Sequence, residues 1–208
     1  NSSEKGLATG PFSLEFSYGA VMSNRTSHRP RPTAPRLAPL DPATLDEETQ
    51  KIVPPGSLNI FRTLAHHPKL LKRWLVFGNH VLAKSTLPPR ERELVILRTG
   101  WRCGSEYEFG QHTSIGIQAG LSEHEIRSLT DESVSQPWTP IDRALIAAAD
   151  ELHDDQCISD ATWSALAETW SDQQILDIVF AVGQYTLVSM ALNSCGVQLD
   201  EGVPGFPS

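Results

Sequence analysis

An acid and an imidazole stand four residues apart near the middle of the chain, at Glu108 and His112. In a helix these two side chains lie on one face, and Ser105, three residues before Glu108, falls on the same stripe. Hydroxyl, carboxylate and imidazole groups that lie side by side can pass protons, and histidine changes its charge near neutral pH. The spacing predicts an acid–base site with His112 as general acid and base and Glu108 orienting its imidazole.

Other polar residues near this motif are candidates for the same site. Glu93, one predicted helix earlier, is a candidate catalytic partner for His112 across a pocket. Three side chains could hydrogen-bond a substrate oxygen: Ser105, Tyr107 and Gln111. Arg98 could bind a substrate carboxylate through two parallel hydrogen bonds. No second histidine stands at ligand spacing, so neither a metal nor another cofactor is predicted.

Each candidate also has a structural explanation. An acid and a histidine four residues apart on an exposed helix often form a solvated pair worth about 0.2–0.5 kcal/mol. Ser105 could cap the motif helix at its N-terminus. Glu93 could pair with Arg90 or Arg98, and Arg98 could belong to a structural ion pair. Tyr107 and Gln111 could fill a subunit contact.

Composition limits the class of protein. The chain has 208 residues, of which 39% are hydrophobic, enough to bury one core. Its formal net charge of −8 argues against nucleic acid or an anionic membrane as the main partner. No apolar run approaches the roughly 18 residues of a membrane span. Cys103, Cys157 and Cys195 are widely scattered, which is typical of free thiols in a reducing compartment, so a cytoplasmic location is expected.

From residue 41 onward, helical patterns alternate with short breakers. Apolar and small residues recur at helical spacing within residues 69–84: Leu71, Trp74, Leu75, Gly78 and Leu82. Prolines are expected in the first turns of helices near residues 42, 89 and 140, and capping boxes at Ser122 and Ser171. Gly120 should end the motif helix. Few segments alternate with period two, which indicates an all-α bundle.

The last predicted helix, from Ile175 to about Val197, is apolar on nearly every face. Such a helix is usually buried in a bundle or sandwiched between subunits, so a homo-oligomer is expected. Its polar residues include Gln184, Tyr185 and Asn193. They line the site or form hydrogen bonds across a subunit contact, and the sequence does not distinguish these two roles.

The two ends of the chain differ from the helical part. Residues 1–21 have no sustained periodicity, and Met22 is a plausible native start, so 1–21 are interpreted as a non-native extension. Five prolines between residues 30 and 42 predict an extended segment that either lies across a neighbouring subunit or is disordered. The predicted organisation is an N-terminal segment at 1–40, a helical domain at 41–200 and a tail at 201–208.

Two stretches resemble the carboxymuconolactone decarboxylase family, which also contains the AhpD-like alkylhydroperoxidases. They are Leu-Pro-Pro-Arg-Glu-Arg-Glu-Leu-Val-Ile-Leu-Arg from residue 87 and Tyr-Glu-Phe-Gly-Gln-His from residue 107. The resemblance covers about residues 57–198. It implies an AhpD-like helical bundle, assembly into trimers or hexamers, and a pocket near the motif helix at a subunit contact.

The peroxidase branch of this family has a Cys-x-x-Cys motif that ends four residues before its histidine. Aligned on His112, the two cysteine positions hold Ser105 and Glu108 here, and the glutamate of that branch aligns with Glu93. A hydroxyl cannot replace a thiol in disulfide chemistry, and Cys103 has no resolving cysteine nearby. Thiol-dependent peroxide reduction is therefore disfavoured.

The decarboxylase branch is more similar to this chain, because Glu108-Phe109-x-x-His112 resembles its Glu-Phe-x-x-His motif. The resemblance implies a lyase that works without a cofactor on a small carboxylated or lactone-like substrate. Loss of CO₂ leaves an enolate-like group that His112 would protonate. The expected partners are this small molecule and further copies of the chain. The remaining alternative is a helical oligomer that binds a ligand without catalysis.

Overall fold

Nine α-helices follow a short 3-10 helix (Pro42–Thr44) in the computed structural model, which describes residues 30–130 and 138–207. In chain order they are α1 (Glu47–Ile52), α2 (Asn59–Leu64), α3 (Pro68–Ala83), α4 (Pro89–Arg102), α5 (Glu106–Ala119), α6 (Glu123–Ser128), α7 (Pro140–Asp154), α8 (Asp160–Ala167) and α9 (Asp172–Cys195). These ranges contain no strand, so the predicted all-α class is confirmed. The interpretation of residues 1–21 and Met22 concerns positions outside the described residues.

Local capping signals set most of the helix ends. Ser122, Thr139 and Ser171 each form a capping box with the side chain three residues later, at the starts of α6, α7 and α9. Prolines occupy the first turns of α3, α4 and α7. Gly120 ends α5 with a φ of 106°, a left-handed conformation that glycine adopts without a steric penalty.

The hydrophobic core lies among α4, α5, α7 and α9. Large side chains of these helices have essentially no exposed surface: Leu94, Leu97, Phe109, Leu145 and Ile178. Each contributes about 1.5–3 kcal/mol through its burial. Helix α4 packs against α5, α7 and α9, and residues 93–100 are all buried. Two of these buried residues, Glu93 and Arg98, are charged and therefore need partners inside the fold.

Helix α9 has one buried and one exposed face. Gln184, Tyr185 and Val188 are buried. An exposed stripe with spacings of four and three residues lies elsewhere on the helix: Leu176, Phe180, Gly183, Leu187 and Met190. Although no uninterrupted apolar run reaches the length of a membrane span, α9 is by length and composition apolar enough to cross a membrane, and half of its most apolar window is buried inside the fold. The stripe is a surface on which helices can pair; the homo-oligomer stays a prediction.

The proline-containing segment before the helices lies along its own chain. The Arg31 side chain donates to the carbonyl of Cys103 at 2.8 Å. The backbone N–H of Arg36 donates to the carbonyl of Cys195 at 2.8 Å, at the end of α9. Residues 30–40 contain no helix and are held by contacts of this kind.

The residues after α9 fold back over α5. The ring of Phe206 packs against Trp101 and Phe109, with ring centroids 5.0 and 5.3 Å apart. Gly110 permits this approach, because a Cβ atom at that position would collide with the carbonyl of Pro204. The domain boundaries at residues 40 and 200 stay predictions.

Candidate active site

His112 lies between two carboxylates in the interior of the fold. Its Nδ1 is 2.6 Å from Oε2 of Glu93 on α4, and its Nε2 is 3.1 Å from Oε1 of Glu108 on α5. Glu93 has no exposed surface, and Glu108 and His112 are each 5% exposed. Both ring nitrogens therefore face an acceptor, and the imidazolium form, which carries hydrogen on both, satisfies both carboxylates.

A tight connection between α4 and α5 brings Glu93 level with His112. Gly104 turns the chain with a φ of 55°, and the N–H of Ser105 donates to the carbonyl of Gly100 at 2.9 Å. The two helices then pack directly against each other. Glu93 and His112, which are 19 residues apart in sequence, are thereby brought within hydrogen-bonding distance.

The two carboxylates control the protonation of His112. Burial lowers the pKa of the imidazole, but the hydrogen bonds and negative charges of Glu108 and Glu93 outweigh it and raise the pKa to about 9. His112 is therefore protonated at neutral pH. The acid–imidazole pair is not the solvated surface pair that spacing alone allowed. Glu93 makes the shorter contact, so both acids, rather than Glu108 alone, orient the ring.

The second oxygen of Glu93 is also occupied. Arg92 Nε donates to Glu93 Oε1 at 3.1 Å. The pairing of Glu93 with Arg90 or Arg98, considered from the sequence, is not what the fold contains: Arg90 binds Asp142 at 2.8 Å. Within the described ranges, no group of three or more His, Cys, Asp or Glu residues is arranged to hold a metal ion.

A cavity of about 150 Å³ opens beside Glu108 and His112. Its walls come from α2, α3, α5 and α9 and are mainly apolar: Ile60, Phe61, Leu75, Leu82, Ile115 and Val188. Tyr185 stands edge-on to His112 with ring centroids 4.8 Å apart, and Gln184 also lines the cavity. Burial, with the charges of both carboxylates, raises the pKa of Tyr185 well above its ordinary value, so its phenol stays neutral. The acid–imidazole pair thus faces a small, mainly apolar cavity and not bulk solvent.

Asp200, which follows the last helix, organises one edge of this cavity. The Tyr107 hydroxyl donates to Asp200 Oδ2 at 2.5 Å, and Gln111 Nε2 donates to the same oxygen at 2.8 Å. Asp200 Oδ1 accepts from the backbone N–H of Asn59 at 2.9 Å, at the start of α2. Tyr107 and Gln111 both line the cavity, but Asp200 holds their polar ends. Sequence reasoning missed Asp200 because it lies 89 residues from Gln111 and outside any motif.

Arg98 and Ser105 lie away from the cavity. Arg98 donates to the two oxygens of Asp150 at 2.7 and 2.8 Å and to the carbonyl of Leu129 at 2.6 Å. This is the structural ion pair that the sequence left open. Ser105 occupies the N-cap position of α5, but its buried Oγ forms no hydrogen bond with the described residues. These placements lend no support to a substrate-binding role for either side chain.

Cys103 belongs to a different cavity, of about 570 Å³. Burial raises the pKa of its thiol, although Thr186 Oγ1, 3.8 Å from the sulfur, acts in the opposite direction. Asn193 Nδ2 donates to the Cys103 carbonyl at 3.1 Å and so supports the loop between α4 and α5. All three cysteines are free, and none lines the His112 cavity.

Comparison with known proteins agrees with this architecture. Residues 68–151 match the family described as the carboxymuconolactone decarboxylase family. That range includes Glu93, Glu108 and His112, and it covers α3 to most of α7. A comparison with curated proteins gives no match.

Solved structures share the fold at low sequence identity. A protein from Ralstonia eutropha JMP134, described as an alkylhydroperoxidase AhpD core, has a TM-score of 0.70 and 18% identity over 80% of this chain and 93% of its own. A peroxidase-related protein from Silicibacter sp. TM1040 has a TM-score of 0.69 and 17% identity over 83% and 96%. A variant of the debrominase Bmp8 in complex with 2,3,4-tribromopyrrole has a TM-score of 0.66 and 12% identity over 79% and 91%. These identities show the fold alone. The chain therefore carries a match to the carboxymuconolactone decarboxylase family over residues 68–151, and its fold is AhpD-like.

Proposed function

We propose that this chain is an enzyme that performs cofactor-independent acid–base chemistry at an activated carbon of a small substrate, as a decarboxylase or a related proton-transfer enzyme. The supporting observation is the buried Glu93–His112–Glu108 chain beside an apolar cavity. A solvated pair would have little effect on the pKa of its histidine, whereas this buried set raises it to about 9. The predicted partners remain a small molecule and further copies of the chain, and the predicted location remains the cytoplasm.

His112 is the general acid in this proposal, because it is protonated at neutral pH. Its contact with Glu108 is 3.1 Å, whereas its contact with Glu93 is 2.6 Å. The Nε2–H is therefore the more easily released of the two, and it can turn to a substrate oxygen in the cavity. Glu108 is then a carboxylate free to accept a proton. Glu93 does not line the cavity, so it acts as a positioning residue that holds the ring.

The chemical step requires no oxidant. A carbon–hydrogen bond next to a carbonyl breaks, its proton passes to Glu108, and the electron pair of the bond moves onto the carbonyl oxygen as an enolate. His112 Nε2–H donates to that oxygen. Return of the proton to another carbon completes an isomerisation. In a decarboxylation the broken bond is the one to the carboxylate carbon, CO₂ leaves, and His112 supplies the proton. Placed proton transfer of this kind accelerates a reaction by about 10²–10⁴.

Two alternatives have less support. Thiol-dependent peroxide reduction would use Cys103, but burial raises its pKa and its sulfur lies outside the His112 cavity. Oxidation of Cys103 by peroxide, followed by mass spectrometry, distinguishes this alternative, because an unoxidised Cys103 excludes it. A non-catalytic binding protein would use the same cavity, but it would show no turnover in the parent protein.

Proton exchange at carbon tests the proposal. The protein is incubated in D₂O with a panel of cyclic ketones and unsaturated lactones, with and without a carboxylate substituent, and exchange, isomerisation and CO₂ loss are followed by NMR. We expect catalysis on at least one compound and a loss of about 10²–10⁴ in rate in His112→Asn. An unchanged rate in a folded His112→Asn protein would refute the assignment of His112, and no catalysis on any compound would favour the binding protein.

A further inference from the structure

We infer that the substrate of the proposed reaction is an uncharged carbonyl compound, a lactone or cyclic ketone, and that the cavity rejects carboxylates. This inference rests on the proposed function, and within it favours proton transfer on a neutral compound over decarboxylation of a carboxylated one. It follows from the charges and the hydrogen-bonding groups that face the cavity.

The described residues that line the cavity offer a carboxylate no free positive charge. Among the described residues that line it, only Glu108 and His112 are charged, and none is lysine or arginine. The positive charge of His112 is already paired with two carboxylates, Glu108 at Nε2 and Glu93 at Nδ1. A carboxylate entering the cavity would lose its hydration and meet Glu108, so binding it would be costly.

The arginines of α4 do not change this balance. Arg98, the natural candidate for binding a carboxylate, is held on both oxygens of Asp150. Arg92 binds the oxygen of Glu93 that points away from His112, and Arg90 binds Asp142. None of the three lines the cavity.

The cavity instead carries neutral hydrogen-bonding groups. Gln184 lines it with only 4% exposed surface, and its buried Oε1 has no hydrogen-bond partner among the described residues. Trp74 also lines it, and the buried indole Nε1 of Trp74 is likewise without a partner in those ranges. Buried polar groups without partners are rare, so both indicate a ligand that supplies a hydroxyl or N–H and a carbonyl oxygen. The apolar walls suit the remainder of a neutral ring.

Paired compounds test this selectivity by binding alone. Neutral lactones and cyclic ketones, each paired with the same ring bearing a carboxylate, are titrated into the protein at neutral pH and followed by calorimetry. We expect the neutral member of each pair to bind at least ~10-fold more tightly. Equal or tighter binding of the carboxylated members, or no binding of any neutral member, would overturn the inference.

Two variants separate the effect of charge from that of shape. Glu108→Gln removes the negative charge with little change in volume and should reduce the preference. Leu82→Lys adds a cation to the cavity wall and should shift the preference towards carboxylates. Leu176→Lys is the matched control, because it adds the same charge on the exposed stripe of α9, outside the cavity. The same preference in all of these folded proteins would contradict a role for cavity charge.

Binding and turnover can fail separately. If neutral compounds bind with the expected preference but are never turned over, the proposed function is wrong and the ligand class stands. If the protein catalyses exchange or CO₂ loss only on carboxylated compounds, the proposed function stands and this inference is wrong.

Discussion

The His112 cavity and the Cys103 cavity differ in what burial does to the reactive side chain that each contains. In the His112 cavity, two carboxylates outweigh the effect of burial and raise the pKa of the imidazole to about 9. In the Cys103 cavity, burial outweighs the neighbouring hydrogen bonds and charges and raises the pKa of the thiol. The histidine is thus kept charged, whereas the thiol is kept neutral. A buried ionisable group stays charged only where the fold also supplies an opposite charge.

Helix α9 separates these two environments. Gln184, Tyr185 and Val188 line the His112 cavity, whereas Thr186 and Asn193 line the Cys103 cavity. Residues next to each other in sequence therefore serve different cavities, because neighbouring positions of a helix point in different directions. This arrangement allows each cavity to be altered without the other.

The largest expected effect is on turnover. Glu108→Gln should reduce the rate of the proposed reaction by about 10²–10⁴, because it removes the base, whereas Cys103→Ser should leave it unchanged. Both rates are measured on the compound that responds best in the D₂O exchange assay. If Cys103→Ser lost most of its turnover rate while Glu108→Gln kept the parent rate, the reaction would have to be assigned to the Cys103 cavity.

The next effect is on stability. Glu93→Gln should lower the free energy of unfolding by about 3–5 kcal/mol, because it leaves the buried imidazolium with one carboxylate and removes the partner of Arg92. Chemical denaturation measures the change. Glu168→Gln, on the exposed end of α8, is the control and should stay within about 0.5 kcal/mol of the parent. Equal stabilities of the two variants would show that the His112 chain is not a buried ionic set.

Stability should also depend on pH through His112. Its pKa rises from 6.5 to about 9 on folding, so its contribution is complete below pH 6.5 and is lost as the pH rises through about 9. At about 1.4 kcal/mol per pKa unit, the loss is on the order of 3 kcal/mol. The other titratable groups facing the ring are Glu93, Glu108 and Tyr185, and Tyr185 keeps its proton in this range.

Unfolding measured from pH 6 to pH 10 in the parent and in His112→Asn isolates this contribution. The parent should lose stability towards high pH more steeply than the variant. Parallel curves would mean that His112 is not protonated in the folded protein at neutral pH.

The smallest expected effect concerns the thiols. Cys157 is exposed, whereas Cys103 is partly buried with a raised pKa, so iodoacetamide should modify Cys157 at least ~10-fold faster. Mass spectrometry of the modified peptides measures both rates. Faster modification of Cys103 would show that its cavity activates the thiol and would remove the contrast between the two cavities.

Much of the secondary structure could be predicted because its signals are local. The capping boxes at Ser122 and Ser171, the first-turn prolines and Gly120 each act within one turn of a helix. Expected helix ends therefore agree with the structure to within a few residues, as at Pro89 and Gly120. The adjacency of Glu108 and His112 has the same origin, since i and i+4 side chains meet on any helix.

The rest of the site depends on contacts between distant segments. The bond between Glu93 and His112 forms only when α4 packs on α5, and Asp200 reaches Tyr107 only when the segment after α9 folds back. Arg98 meets Asp150 across 52 residues. By itself the sequence determined the helices and one acid–imidazole pair. The packing of those helices decided which other charges join the pair, because partners far apart in sequence are selected by the shared core and not by spacing.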